Sequence, residues 1–171
     1  NQQRNKAISH IAQSIQKNTN KILEANSLDI KAAREKGLSE SMIDRLMLDK
    51  DRIDSMASSM NIITKIEDPI NKITEEWSRP NGMIIQRVSV PLGVIGIIYE
   101  SRPNVTADAA ALCIKSGNPA ILRGGSESFE SNKAIYLCLR EGLADAGLDP
   151  LSIQLVPIKD RSAVGYMLSS M

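Results

Sequence analysis

The sequence predicts an α/β protein in which a helical N-terminal layer precedes part of a Rossmann-like parallel sheet. Apolar side chains recur at helical spacing over residues 1–76, whereas later residues alternate between short apolar runs and amphipathic stretches in the order βαβαβα. This alternation is typical of parallel strands joined by right-handed crossovers. Three parallel strands are too few for a complete doubly wound domain, so we expect the chain to be a truncated part of a larger fold.

Residues 1–76 are predicted to form an amphipathic helical layer. Isoleucines spaced along a helix predict the first element, and a short second helix is expected from an N-cap at Ser27 to a stop at Gly37. Ser39 is expected to cap a third helix, and a fourth follows before Asp68 and Pro69 interrupt the pattern. The layer must bury its apolar face against another part of the protein.

Two consecutive strands are predicted after the helical layer. Met83–Val90 is β-branched and partly alternating, which indicates a strand with one polar face. The run that ends at Tyr99 is fully apolar, so we expect a strand buried on both faces. The remaining elements are two strands and three helices, predicted at Val105–Lys115, Pro119–Leu122, Ser128–Ala146, Ile153–Val156 and from near Asp160 to Met171.

Composition excludes several classes of function. A net charge of +1 gives no basis for predicting nucleic-acid or membrane binding, and 3% aromatic residues are too few for base-stacking platforms. The longest apolar run, Val94–Tyr99, is too short to cross a bilayer. Cys113 and Cys138 share no metal-ligand spacing with His10, so we predict no metal site. They sit in apolar helical patterns and are predicted to be reduced structural thiols in a cytoplasmic protein.

Two turns carry ligand-capable residues at the ends of predicted strands. Arg123, Gly124, Gly125 and Ser126 lie before a helix, where a permanent cation and an accessible backbone suit a phosphate. The alternative is a tight turn with a surface arginine.

The second turn, residues 101–104, reads SRPN. The Asn104 amide can donate to a developing oxyanion, and the alternative is that Ser101 or Asn104 only caps the helix.

The segments YESRPNVT, at 99–106, and LRGGSES, at 122–128, resemble the gamma-glutamyl phosphate reductase family of the aldehyde dehydrogenase superfamily. The resemblance is strongest over Arg87–Asn132 and extends more loosely to the helical N-terminus and to Gly142–Pro157. It implies NADPH-dependent reduction of L-glutamyl 5-phosphate to L-glutamate 5-semialdehyde and phosphate in proline biosynthesis. A cysteine thiolate would attack the acyl phosphate, and its position is expected downstream of Met171.

The resemblance also implies roles for individual residues. Ser101, Arg123, Gly124, Gly125 and Ser126 are expected to bind NADPH, with the Arg123 guanidinium at the 2′-phosphate. Arg102 is expected to bind an anionic group of the substrate, unless it only pairs with Glu100 or a neighbouring loop. Asn104 is expected at the oxyanion hole.

Assembly and partners are predicted in the same way. Residues 77–91 are expected to join a sheet used for homo-oligomerisation, residues 92–171 to form a partial cofactor domain, and glutamate 5-kinase to be a functional contact. Two other readings remain open: a catalytically silent cofactor-binding or assembly fragment, and an aldehyde dehydrogenase acting on free aldehydes.

Overall fold

The computed structural model describes residues 1–169. This range contains seven α-helices and five strands, with single 3₁₀ turns at Ser126–Ser128 and Pro150–Ser152, and helices and strands alternate only from β3 onward. The helices are α1 Gln2–Lys17, α2 Thr19–Glu35, α3 Glu40–Leu46, α4 Lys50–Lys65, α5 Pro103–Lys115, α6 Phe129–Asp145 and α7 Ser162–Ser169. The strands are β1 Ile73–Ser78, β2 Ile84–Val88, β3 Ile95–Ile98, β4 Ala120–Arg123 and β5 Ile153–Leu155.

The predicted parallel sheet is confirmed. Strands β3, β4 and β5 lie in that order, with Ile95 opposite Ala120 and Ala120 opposite Ile153, and all pairs are parallel. Strands β1 and β2 form a separate antiparallel ribbon. Because the carboxyl ends of parallel strands share one edge, the turns that follow β3 and β4 emerge side by side.

The N-terminal helices pack on the helices of the sheet region, as the amphipathic pattern requires. Ile8, Ile11 and Ile15 of α1 are fully buried in the main core. A Cβ built on Gly142 of α6 would lie 2.5 Å from Ile11 Cγ1 and 2.6 Å from Ile11 Cα. The absence of a side chain at Gly142 therefore lets α1 and α6 approach each other backbone to backbone.

Two sequence predictions for residues 1–76 are wrong. Ser27 does not cap a helix, because α2 begins at Thr19 and the Ser27 hydroxyl donates to the Glu24 carbonyl at 2.7 Å within that helix. Strand β1 begins within the range predicted as helical, 1–76, and extends to Ser78. Its two glutamates interrupt the apolar pattern of a strand, and pairing with β2 stabilises it. The predicted stop at Gly37 is confirmed by its φ of 71°.

The prediction that the strand before Tyr99 is buried on both faces is also wrong. Ile95, Ile97 and Tyr99 pack against the core, but the alternating residue Ile98 is 42% exposed. Strand β3 lies at one edge of the described sheet, and on its other face a Cβ built on Gly96 would have one atom of the described residues within 4 Å, Met167 Cε at 3.2 Å. The end of the last predicted helix, at Met171, lies outside the described residues.

A buried carboxylate joins the helical layer to the start of α6. Asp29 of α2 accepts hydrogen bonds from the backbone N–H groups of Glu130 and Ser131, at 3.2 and 2.8 Å, and from the Ser131 hydroxyl at 2.6 Å. Burial raises the pKa of Asp29, while the bonds from Ser131 act in the opposite direction. A negative charge beside the first turn of a helix is also attracted by the positive end of the helix dipole, which stabilises the helix.

Replacement of Asp29 by alanine should destabilise the protein. The variant leaves two helix N–H groups and one hydroxyl without their acceptor, which should lower the free energy of unfolding by roughly 1–3 kcal/mol. Denaturant unfolding of the complete protein that carries this sequence measures the loss. Asp145→Ala is the matched control, because Asp145 is exposed at the far end of α6. Equal stability of the two variants would contradict the capping role.

Candidate functional site

The candidate site forms where β3 and β4 end. Tyr99–Arg102 follows β3, and Gly124–Ser126 follows β4, so the two turns predicted from sequence lie against each other. A side chain at Gly125 would overlap Ser101 Oγ and would lie 2.8 Å from the Ser101 backbone nitrogen. The contact shows that the two turns pack directly against each other.

The glycines of this turn serve internal packing. A Cβ on Gly124 would collide with Asn132 Nδ2 and lie 2.9 Å from the Tyr99 ring, as a Cβ on Gly125 would collide with Ser101. From the sequence, Gly124 and Gly125 were expected to leave the backbone accessible to a ligand. The structure shows that they are needed so that the turn can lie on the end of β3.

A chain of buried hydrogen bonds supports the turn from below. The Tyr99 hydroxyl lies 2.8 Å from Thr106 Oγ1, which donates to Asn132 Oδ1 at 3.0 Å. Asn132 Nδ2 donates to Ser128 Oγ at 2.9 Å, and Ser128 Oγ donates to the Gly125 carbonyl at 3.2 Å. Burial raises the pKa of Tyr99 to about 12, so its hydroxyl stays neutral. The chain links β3, α5, α6 and the turn.

Glu127 joins two of the predicted site residues, and sequence reasoning missed it. The Ser101 hydroxyl donates to Glu127 Oε2 at 2.6 Å, and the Ser126 hydroxyl donates to Glu127 Oε1 at 2.8 Å. The bond from Ser101 is the main cause of a lowered pKa at Glu127, which keeps the carboxylate ionised. An acidic residue directly after the RGGS turn was the available signal.

Arg123 is buried, with 7% of its surface exposed. One terminal nitrogen donates to the Gly124 carbonyl, and the other donates to the carbonyls of Lys159 and Asp160 at 3.1 and 3.4 Å. Its Nε is buried and has no hydrogen-bond partner among residues 1–169. The guanidinium therefore ties the end of β4 to the loop after β5. Its expected contact with a 2′-phosphate stays a prediction.

Arg102 and Asn104 line a different cavity, of about 450 Å³, between the start of α5 and the helices α3 and α4. Arg102 Nε lies 2.9 Å from Glu100 Oε1, an ionic contact that lacks the alignment of a hydrogen bond. Glu100 Oε2 also lies 3.3 Å from Arg45 Nη1. Asn104 Nδ2 donates to Asp108 Oδ2 at 3.2 Å. The contact between Arg102 and Glu100 agrees with the alternative that Arg102 only pairs with that residue. Because Arg102 also lines the cavity, its role in binding substrate stays a prediction.

The structure excludes the helix-capping alternative for this turn. Arg102 is the N-cap residue of α5, and no side chain forms a capping hydrogen bond there. The Ser101 hydroxyl is bonded to Glu127, and Asn104 already lies inside the helix.

The two thiols have the environment of structural cysteines. Cys113 and Cys138 are both free and buried. Burial raises the pKa of each thiol, so both favour the protonated form that does not act as a nucleophile. Among residues 1–169 no helix has the length and apolarity needed to cross a membrane.

The fold belongs to the aldehyde dehydrogenase class. A propionaldehyde dehydrogenase from Rhodopseudomonas palustris matches 98% of this chain with a TM-score of 0.64, at 15% identity and over 35% of its own length. Such a distant likeness concerns the architecture alone. No protein-family profile matches the chain.

Closer similarity is to gamma-glutamyl phosphate reductases, which confirms the resemblance drawn from the two turns. The crystal structure of that enzyme from Thermotoga maritima has a TM-score of 0.94 and 44% identity, over 98% of this chain and 40% of its own. The enzyme from Nitrobacter winogradskyi is 52% identical over 169 residues, or 99% of this chain. The chain spans about 40% of the length of the curated relatives it matches.

Replacement of Gly125 by alanine tests the contact between the turns. Its φ of −57° is open to any residue, so the cost comes only from the clash with Ser101, and we expect about 1–3 kcal/mol of lost stability. Gly165→Ala is the control, because no atom of the described residues outside its own helix backbone lies within 4 Å of a Cβ there, and the change should instead favour α7 by about 0.5–1 kcal/mol. Equal melting temperatures for the two variants in thermal unfolding would contradict the role of this contact.

Proposed function

We propose that this chain forms the N-terminal part of an enzyme that reduces L-glutamyl 5-phosphate with NADPH to L-glutamate 5-semialdehyde and phosphate, in proline biosynthesis. The observation that carries the proposal is the site itself: the SRPN and RGGS turns, by which the sequence resembles gamma-glutamyl phosphate reductases, lie side by side at the carboxyl ends of β3 and β4. Ligands of open α/β sheets bind at this edge. The 52% identity to a named relative supports the same activity.

The turn after β4 has the donor set that a nicotinamide dinucleotide requires. A cavity of about 340 Å³ is lined by Arg123, Gly124, Gly125, Ser126 and two further cationic residues of the β5–α7 loop. The unpartnered Nε of Arg123 lies buried at this place, which fits an anionic ligand. The bond from the Ser101 hydroxyl to Glu127, which lines this cavity, supports the proposal that Ser101 belongs to the same site. When bound, the cofactor supplies the hydride of the reaction.

The substrate is proposed to lie in the neighbouring cavity of about 450 Å³, where Arg102 and Asn104 face it together. Arg102 would bind an anionic group of glutamyl phosphate, and the Asn104 amide would donate to the acyl oxygen as negative charge develops. In this proposal Asn104 must exchange its bond to Asp108 for one to the substrate. The acyl carbon is attacked by a cysteine thiolate, phosphate leaves, and the thioester is then reduced.

The attacking thiolate is proposed to come from outside these 171 residues. Cys113 and Cys138 are buried with raised pKa values, so this chain supplies cofactor and substrate contacts without a nucleophile. On its own it would then be inactive. The second candidate function, a catalytically silent binding or assembly fragment, rests on the share of its relatives that the chain spans, about 40%.

Assembly is proposed through the β1–β2 ribbon, whose residues are mostly exposed. Its apolar side chains include Trp77, Ile84 and Val88, which are 39–62% exposed, and an isolated two-stranded ribbon is only marginally stable in water. Pairing with a second copy would cover them and give a homo-oligomer. A cytoplasmic location and a functional contact with glutamate 5-kinase complete the proposal.

Turnover by the complete protein that carries this sequence tests the function. NADPH oxidation with glutamyl phosphate, or NADP reduction with glutamate semialdehyde and phosphate, should be measurable. Cys113→Ala and Cys138→Ala should keep most of this turnover and lose roughly 1–3 kcal/mol of stability through packing. A loss of several orders of magnitude in kcat at either site, with the fold intact, would place the nucleophile within this chain. The mass of the protein isolated from its natural source separates the two candidates: a mass near 18.7 kDa favours the silent fragment, and a mass more than twice that favours the enzyme.

Arg102→Lys tests the substrate contact. The change keeps the charge and removes the planar fork, so kcat/KM for glutamyl phosphate should fall by the equivalent of about 1–3 kcal/mol while NADPH binding stays constant. Arg140→Lys is the control, since Arg140 lies on α6 beside the Tyr136 ring and outside both cavities. If kcat/KM is unchanged, Arg102 serves only its ionic contact with Glu100.

A further inference from the structure

Two cavities meet at the RGGS turn and share a cationic side chain. The first has about 340 Å³ and the second about 530 Å³, within the range of small-molecule sites. Gly125, Glu127 and Arg161 line both. Arg161 lies just before α7, and it is the only residue of the described β5–α7 loop that faces both cavities.

The cations around these cavities differ in how they are already engaged. Arg123 donates to three backbone carbonyls, and Lys159 lies 3.3 Å from a Glu130 carboxylate oxygen and 4.8 Å from the centre of the Phe129 ring. Arg45, in the larger cavity, pairs with Glu100. Among the described residues, Arg161 alone of these four cations has neither a hydrogen bond nor an ion pair from its side chain.

The charge of Glu127 makes a free cation necessary for a phosphate here. Its carboxylate is held ionised by bonds from Ser101 and Ser126, and it lines the same two cavities as Arg161. A phosphate beside this carboxylate meets a like charge, which opposes binding. A guanidinium with free N–H groups offsets that repulsion and can form two parallel bonds to phosphate oxygens.

We infer that Arg161, rather than Arg123, is the residue that binds the 2′-phosphate and sets the preference for NADPH over NADH. Arg123 is a positioning residue: its bonds to the carbonyls of Lys159 and Asp160 hold the loop that carries Arg161. This inference rests on the proposed function, since it concerns a specificity contact within the proposed cofactor site.

Dissociation constants for NADPH and NADH, measured by fluorescence titration of the complete protein, separate the two arginines. Arg161→Ala should raise the constant for NADPH by about tenfold or more, because charged hydrogen bonds are lost, and should leave NADH unchanged. Arg161→Lys keeps the charge without the fork and should give an intermediate preference. Arg123→Ala should weaken both cofactors alike and lower the melting temperature, because the loop is released. Arg140→Ala is the control and should change neither constant.

Other outcomes contradict the inference in distinguishable ways. If Arg161→Ala leaves the ratio of the two constants unchanged while the parent protein binds NADPH, the assignment fails and the proposed function stands. A selective loss of NADPH in Arg123→Ala or Lys159→Ala, without one in Arg161→Ala, gives the role to that residue instead. If the parent protein binds neither dinucleotide, the proposed function and the inference fail together.

Discussion

The candidate site depends on the close packing of two glycines against the end of a neighbouring strand. Gly124 and Gly125 leave no room for a Cβ beside Tyr99, Ser101 and Asn132, so the turn after β4 lies directly against the turn after β3. Buried hydrogen bonds through Thr106, Asn132 and Ser128 fix that position from the core side. Because each side chain of this hydrogen-bond network has a partner, the network stabilises the arrangement without a buried polar side chain that lacks a hydrogen bond. The ligand-facing groups are thereby held before any ligand arrives.

The helical layer contacts the start of α6 and lines the proposed substrate cavity of about 450 Å³. Asp29 accepts from the first turn of α6, and Asn26 bonds to the Leu46 carbonyl, the Leu48 N–H and the Ser131 hydroxyl, at 2.8–3.0 Å. These bonds tie the end of α3 to the start of α6. They also place the α3–α4 side chains opposite Arg102 and Asn104. The helices α3 and α4 therefore form one wall of the proposed substrate cavity. The helical layer thus has a second role besides packing on the helices of the sheet region.

The sequence predicted the features that depend on local pattern and missed those that depend on distant partners. The parallel order of β3, β4 and β5 follows from alternating strands and helices, and the meeting of the SRPN and RGGS turns follows from that topology. Strand β1 was missed because its polar residues acquire a strand conformation only through pairing with β2. The roles of Asp29 and Glu127 were missed because they depend on Ser131 and Ser101, which lie on other parts of the fold. The spacing of apolar residues along the chain does not predict such polar contacts.

Burial explains why the two arginines near the RGGS turn should act differently. A buried guanidinium loses its hydration, so it relies on protein acceptors. The two terminal nitrogens of Arg123 donate to three carbonyls, and among the described residues only its Nε is left without a partner. Transferring those N–H groups to a phosphate would leave the carbonyls of Lys159 and Asp160 without their donor. An exposed arginine such as Arg161 keeps its hydration until a ligand displaces water, and no bond from its side chain to the described residues has to break. The residue that the motif makes most conspicuous is thus suited to hold the site together, and the cation beyond the motif is suited to distinguish between ligands.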